Sequence, residues 1–111
     1  MSELTEKLAK LKSTAESQLK DSGINTIDNE LLDDLVGRMK LIVNNRDAML
    51  VSGTDKSEME TVRTNFAVKK LGVYNKEKGA KAVADVAGKM KGIKMKNRVA
   101  FYYMVQKALG K

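Results

Sequence analysis

The chain has 111 residues and a formal net charge of +7, with no proline, cysteine or histidine. Without cysteine it forms no disulfide and no thiolate site, and without histidine it lacks the side chain most often used as a general base or transition-metal ligand. Hydrophobic residues make up 42% and charged residues 32%, a balance typical of a globular domain, and we expect a single helical domain over residues 1–111.

Two helices are expected in the first half of the chain. Leucines and an alanine recur at three- and four-residue steps over Ser2–Lys20, which predicts an amphipathic helix. Asp28 is a suitable N-cap for a second helix that reaches about Val43. The segment 44–53 then breaks the helical periodicity, and its short apolar run through Val51 is expected to pack against the core.

The third helix has the clearest start signal. Asp55 and Glu58 have the spacing of a capping box, in which Asp55 caps the helix and Glu58 reaches back to the cap. Gly72 is the expected stop, because glycine readily takes the left-handed conformation that ends helices. Lys69 and Lys70 fall in the last turn, where the helix dipole favours cations.

Two more helices are expected in the second half. Asn75 caps a helix over about Lys76–Met90, whose small apolar residues allow close approach of a neighbouring backbone. The last helix, over about Asn97–Leu109, is apolar on nearly all sides, which indicates a buried position. We therefore expect an all-α fold without a β-sheet, a compact bundle of about five helices with the C-terminal helix at its centre. The predicted shared core is Phe66, Leu71, Phe101, Met104 and Val105.

Two segments carry a family resemblance. The run DKSEMETVRTNFAVKKLG and the ending NRVAFYYMVQKALGK resemble a small bacterial family classed as a domain of unknown function. The aromatic cluster Phe101-Tyr102-Tyr103 before a terminal Lys-x-x-Gly is the most specific part. The lysine-rich stretch 88–98 departs from the family pattern. The resemblance covers roughly the C-terminal half and implies a compact helical domain, with no activity, cofactor or site attached.

Charge is distributed unevenly along the chain. Residues 1–60 hold 8 Lys and Arg against 12 acids, whereas residues 61–111 hold 13 against 2, Glu77 and Asp85. Such an asymmetry indicates either polyanion binding or a contact between the two halves. In the second interpretation, the acidic second helix with Asp28, Asp33 and Asp34 folds over the basic residues and neutralises them.

The sharpest candidate site is the basic stretch 88–98, where five cations fall among eleven residues. Such cations neutralise phosphates, and the first-turn amides of the last helix add to an anion site. Their alternation with apolar residues equally fits a solvated connection between two helices. The candidate polyanion-binding residues are Lys89, Lys91, Lys94, Lys96 and Arg98.

Other kinds of site find little support. The acids at positions 28–34 sit at a helix start, where the dipole favours negative charge, so we expect no metal site. The serines and threonines lack a histidine base, and no glycine-rich phosphate loop is present, so we expect no catalytic residues.

A helix-turn-helix around Gly72 needs apolar residues where Lys78 and Lys81 stand, so any nucleic-acid contact would ignore base sequence. The aromatics at positions 101–103 point in different directions on one helix, so we expect most of them in the core rather than as a base-stacking platform.

These patterns predict a small cytoplasmic macromolecular binding or interaction module, with no catalytic activity and no cofactor. No stretch approaches the roughly 20 apolar residues of a membrane span, and the first residues do not resemble a signal peptide. The alternative is non-specific nucleic-acid binding through a basic C-terminal surface. The sequence leaves a protein partner and a nucleic-acid partner both open.

Overall fold

The computed structural model of the chain describes residues 3–40, 49–51, 55–93 and 96–110, and helices dominate them. The all-α expectation of about five helices is confirmed for this part of the chain. In order, the elements are α1 (Glu3–Asp21), α2 (Asn29–Gly37), β1 (Leu50–Val51), α3 (Lys56–Val62), a π-helix (Arg63–Val68), α4 (Lys76–Lys89), β2 (Lys96–Asn97) and α5 (Arg98–Ala108).

A two-stranded antiparallel ladder corrects the expectation that the fold has no sheet. Leu50 lies opposite Asn97, and Val51 lies opposite Lys96. The short apolar run does reach the core, since Val51 is buried, but its backbone is extended and pairs with the residues that precede α5. Such short pairing satisfies backbone groups that would otherwise be buried without partners.

Helix α5 lies at the centre of the bundle, as its apolar sequence predicts. It contacts α1, α2, α4, the π-helix and both strands. Four of its side chains have no exposed surface at all: Val99, Ala100, Phe101 and Val105. The predicted core is confirmed, with Phe66 and Met104 buried beside them and Leu71 packed against the cluster.

Side-chain caps set the helix starts. The Asp28 carboxylate accepts from the Leu31 amide at 3.2 Å, and the Asn75 side chain accepts from the Lys78 amide at 3.0 Å. Asp55 accepts from the amides of Ser57 and Glu58, as the capping-box pattern predicts. The Glu58 carboxylate, however, pairs with Arg98 of α5 instead of reaching back to the cap. Ser2 and the predicted end of the second helix at 41–43 lie outside the described residues, and α2 itself ends at Gly37.

The predicted third helix is not one continuous α-helix. After Val62 it widens into the π-helix, with five-residue hydrogen bonds from the Lys69 amide to the Thr64 carbonyl and from the Leu71 amide to the Phe66 carbonyl. The apolar spacing of this region fits either helix type, so the sequence pattern alone does not separate them. Segments of π-helix occur frequently at functional sites, and this one leads directly into the turn before α4.

Asp28 also ties the start of α2 to α5. Its amide donates to the hydroxyl of Tyr103 at 2.8 Å, and its carboxylate lies 3.2 Å from the ammonium of Lys107. The Leu31 amide and, next, Lys107 hold the pKa of Asp28 below its ordinary value of 3.8. One residue therefore caps a helix and joins it to the centre of the bundle.

Truncating either core phenylalanine should cost a large part of the stability of the domain. Phe101 is fully buried, and Phe66 stacks on Tyr102 with ring centroids 4.1 Å apart. We expect Phe101→Ala or Phe66→Ala to lower the free energy of unfolding by about 3–5 kcal/mol, because each leaves a cavity. Urea unfolding followed by circular dichroism measures this, and near wild-type stability in either variant would contradict the packing.

The stabilising effect of the Asp28 carboxylate should depend on pH. Because its folded pKa is lowered, the charged form contributes stability above its ordinary pKa of 3.8, and that contribution is lost as the pH falls through the folded value. Asp28→Asn can still cap α2 but cannot pair with Lys107. The melting temperature of Asp28→Asn should thus lie below wild type at about pH 6, and the gap should close towards about pH 3. A gap of equal size at both pH values would be inconsistent with this role.

Candidate nucleic-acid interface

Two of the five candidate cations are part of the fold. Lys96 lies in β2 and is only 6% exposed, and its ammonium donates to the carbonyl of Ile93 at 2.8 Å. Arg98 pairs with Glu58 at 2.8 Å and donates to the hydroxyl of Tyr102 at 2.8 Å. Both cations therefore have intramolecular partners that a phosphate would have to displace.

The remaining candidate cations do not form one strip with them. Lys89 and Lys91 are exposed at the end of α4, while Lys94 lies outside the described residues. The ladder between β1 and β2 is the physical reason for the division, since pairing with Val51 draws Lys96 into the fold. The structure does not bring the four described candidates together on one exposed surface.

The acidic helix α2 does not cover the lysines of α4. Asp33 and Asp34 of α2 pair with cations in the first half of the chain, and Asp28, the cap of α2, pairs with a lysine of α5. Hydrogen bonding to Asp33 raises the pKa of Lys12, consistent with a formed ion pair. The pairs are Asp28–Lys107 at 3.2 Å, Asp33–Lys12 at 2.7 Å and Asp34–Arg38 at 2.9 Å.

The exposed cations are concentrated instead between residues 69 and 91, here called the lysine segment. It holds seven lysines against Glu77 and Asp85, a formal charge of +5. Among the described residues no acid lies within ion-pair distance of these lysines, although Lys76 is near enough to Glu60 to help lower its pKa after the larger effect of Arg63. All seven are exposed: Lys69, Lys70, Lys76, Lys78, Lys81, Lys89 and Lys91.

Helix α4 arranges three of these lysines in a row. Lys78, Lys81 and Lys89 fall three and then eight residues apart, which places them within an arc of about 80° on one face. The row is about 16 Å long at the rise of an α-helix. Asp85 lies in the same row, so the net formal charge of the row is +2. The opposite face of α4 is buried against the bundle through Val83, Val86 and Met90.

The turn before α4 presents an exposed aromatic ring. Tyr74 is 80% exposed, whereas its neighbour Val73 is buried and donates its amide to the Ala67 carbonyl at 2.9 Å. Gly72 enters the turn at φ 70°, a conformation that favours glycine, and Asn75 caps α4 directly afterwards. Tyr74 is thus held outward between two anchored residues.

Sequence reasoning missed Tyr74 as a functional candidate. It considered stacking only for the cluster at positions 101–103, where Phe101 and Tyr103 are buried and Tyr102 stacks on Phe66, so the core assignment of those rings is confirmed. One feature of the sequence could have identified it. Tyr74 follows the helix stop at Gly72 and precedes the Asn75 cap, so it belongs to the apolar stripe of neither the third nor the fourth predicted helix, and an exposed position is expected.

A cleft of about 400 Å³ opens beside the lysine segment. Two of its cations are already neutralised, Arg38 by Asp34 and Arg98 by Glu58. Lys70 is the cation of this cleft that has no acid partner in the described part of the chain. The cleft therefore adds less positive charge to the surface than its lining suggests. The lining residues are Arg38, Met39, Asn65, Phe66, Lys70, Arg98 and Tyr102.

The described residues offer little arrangement for metal or nucleophilic chemistry. No three acids in this part of the chain lie close enough to hold a metal ion. The hydroxyls of Ser22, Thr61 and Thr64 donate to backbone carbonyls one helical turn earlier. None of the helices described here has the length and apolar character needed to cross a membrane.

Comparison with known proteins identifies a family for the chain. The family model described as "Protein of unknown function (DUF2853)" matches residues 14–111. None of the curated proteins matches the chain. The match extends well beyond the two segments that suggested it, and it confirms the resemblance to a domain of unknown function.

Arg98 should affect stability more than nucleic-acid affinity, because its charge is already used inside the fold. Arg98→Ala leaves the half-buried Glu58 without its partner and should lower the free energy of unfolding by about 1–3 kcal/mol. Lys91→Ala, at the exposed part of the same stretch, should change it by less than about 0.5 kcal/mol. Urea unfolding of both variants tests this, and equal losses would show that Arg98 is as dispensable to the fold as Lys91.

Proposed function

Because the chain belongs to the family of proteins of unknown function that its residues 14–111 match, we propose its function from its own surface. It is a non-catalytic binding module whose partner is nucleic acid. The lysine segment contacts the phosphate backbone without reading the base sequence. The single observation that carries this proposal is that all seven lysines of the segment are exposed while Asp28, Asp33 and Asp34 pair with cations outside the segment.

Exposed, unneutralised lysines bind phosphates chiefly by releasing the counterions that surround nucleic acid. The row on α4 suits this role because a rigid helix fixes Lys78, Lys81 and Lys89 along one line. Fixing the backbone of these residues in advance reduces the ordering that binding would otherwise require. Lys76 at the first position of α4, and Lys69 and Lys70 in the turn before it, extend the positive surface beyond the row.

The same surface argues against reading of base sequence. Lysine is a flexible point charge and lacks the planar fork with which arginine recognises paired acceptors. Lys78 and Lys81, which stand where a helix-turn-helix would need buried apolar residues, are both exposed. Phosphate contacts alone position a protein on nucleic acid without specifying a sequence.

The absence of catalysis in this proposal rests on the use of the polar side chains. The chain has no histidine or cysteine, and the described hydroxyls of Ser22, Thr61 and Thr64 bond to backbone. The carboxylates of Glu58 and Glu60 are paired with Arg98 and Arg63. An acidic protein is the other partner with which such a surface is compatible, and the experiment below separates the two.

Removing three charges from α4 should weaken binding of a labelled oligothymidine. If the row and one turn lysine make about four phosphate contacts, log affinity should fall against log salt with a slope of about −3 for a single strand. The triple variant Lys78→Gln, Lys81→Gln and Lys89→Gln should reduce the magnitude of that slope by about 2, because three contacts are lost. Fluorescence anisotropy over a salt series measures both quantities.

The matched control removes the same net charge elsewhere. Lys10, Lys20 and Lys40 are also exposed, and changing all three to Gln should leave the slope near the wild-type value. No binding at low salt, or equal losses in the two triple variants, would remove the lysine segment as the site. Competition by oligo-glutamate of matched charge that equals competition by nucleic acid would instead favour an acidic protein partner.

A further inference from the structure

We propose that the nucleic acid bound by this protein is single-stranded, with one unpaired base stacked on the exposed ring of Tyr74. This inference rests on the proposed function and adds the class of nucleic acid and the residue that selects it. It is carried by the placement of an outward aromatic ring inside a strongly basic segment.

Tyr74 is exposed in a way that local structure enforces. Val73 is anchored in the core by its side chain and by the hydrogen bond that its amide donates to the Ala67 carbonyl, while Asn75 is fixed as the cap of α4. A residue held between two such anchors has little freedom to fold its ring back onto the protein. An 80% exposed tyrosine leaves apolar ring surface in water, which a flat partner would cover.

The neighbours of Tyr74 supply the charge that stacking platforms require. Lys70 and Lys76 lie four residues before and two after it, and Lys69 and Lys78 lie within five residues. Proteins that bind single strands combine a positively charged track for the backbone with aromatic rings on which bases stack. The turn and the first part of α4 present both components over a stretch of ten residues, 69–78.

A duplex cannot use this ring in the same way. Its bases are stacked on one another and paired, so a base must be unstacked at a cost of a few kcal/mol before a surface tyrosine can reach its face. The lysines contact the phosphates of either form, but only an unpaired base adds the stacking contribution. The ring should therefore favour single strands, while the lysines set the overall affinity.

The experiment compares wild type with Tyr74→Ala and Tyr74→Phe on three probes of equal length. The probes are oligothymidine, an abasic oligomer with the same phosphates, and a duplex. Tyr74→Ala should weaken oligothymidine binding by about 5- to 150-fold, the range that stacking of one base supplies. Binding to the abasic oligomer and the duplex should stay unchanged, and Tyr74→Phe should retain affinity because the ring face remains.

The outcomes separate this inference from the proposed function. Leu4→Ala is the matched control, since Leu4 is the other exposed large hydrophobic residue in the described chain, at 37%. If Tyr74→Ala binds oligothymidine like wild type while the lysine variant does not, the stacking role is overturned and the proposed function stands. If Tyr74→Ala weakens all three probes equally, the ring acts through the local structure and the inference also fails. A loss confined to oligothymidine supports it.

Discussion

The burial of α5 over most of its length, from Val99 to Val105, is the constraint on which the rest of the structure depends. A helix that is apolar nearly all round must be surrounded, because each exposed Phe or Val side chain would forfeit about 1.5–3 kcal/mol of transfer free energy. Helices α1, α2 and α4 and the π-helix therefore pack against α5. The start of α5 is itself enclosed, so its first amides need partners, and Asn97 provides them by accepting from Val99 and Ala100.

The enclosure of the start of α5 explains why Lys96 is buried and why Arg98 is paired, which the charge pattern alone did not indicate. Asn97 can cap α5 only if its own backbone is held in an extended conformation, and its amide donates to the side chain of Gln18 on α1 at 2.7 Å. The extended backbone before α5 pairs with β1 and carries Lys96 inward. Arg98, one residue further, then lies beside Glu58 and the Leu50 carbonyl. Two cations of the basic stretch, Lys96 and Arg98, thus form contacts that hold the start of the central helix in place.

The sequence predicts this fold well where neighbouring residues along the chain decide the structure. The caps at Asp28, Asp55 and Asn75 follow from side-chain type and position, and the core rings follow from helical spacing. The sequence predicts contacts less well where a residue has one possible partner nearby in the chain and another far away in the chain. Glu58 suits its own helix start and Arg98 equally well, and only the tertiary contact between α3 and α5 decides between them. The π-helix escapes prediction for a related reason, since its residues fit both helical periods. Tyr74 escapes because an exposed ring in a turn leaves no periodic signal.

The charge arrangement that remains is unfavourable for the isolated protein. Lys78 and Lys81, three residues apart on α4, repel each other by a few tenths of a kcal/mol, and Asp85, four residues from both Lys81 and Lys89, offsets part of the repulsion along the row. The acids Asp33 and Asp34 of α2 do not neutralise these lysines, because they pair with Lys12 of α1 and with Arg38 directly after α2. The fold thus keeps repelling lysines in water beside a tyrosine ring that is also left in water. An anionic partner with flat apolar faces relieves both costs at once, because its phosphates neutralise the lysines and its bases cover the ring. Exposed lysines and an exposed aromatic ring occur together on the lysine segment. For this reason the lysine segment is a better candidate for a binding surface than the neutralised cations beside α5.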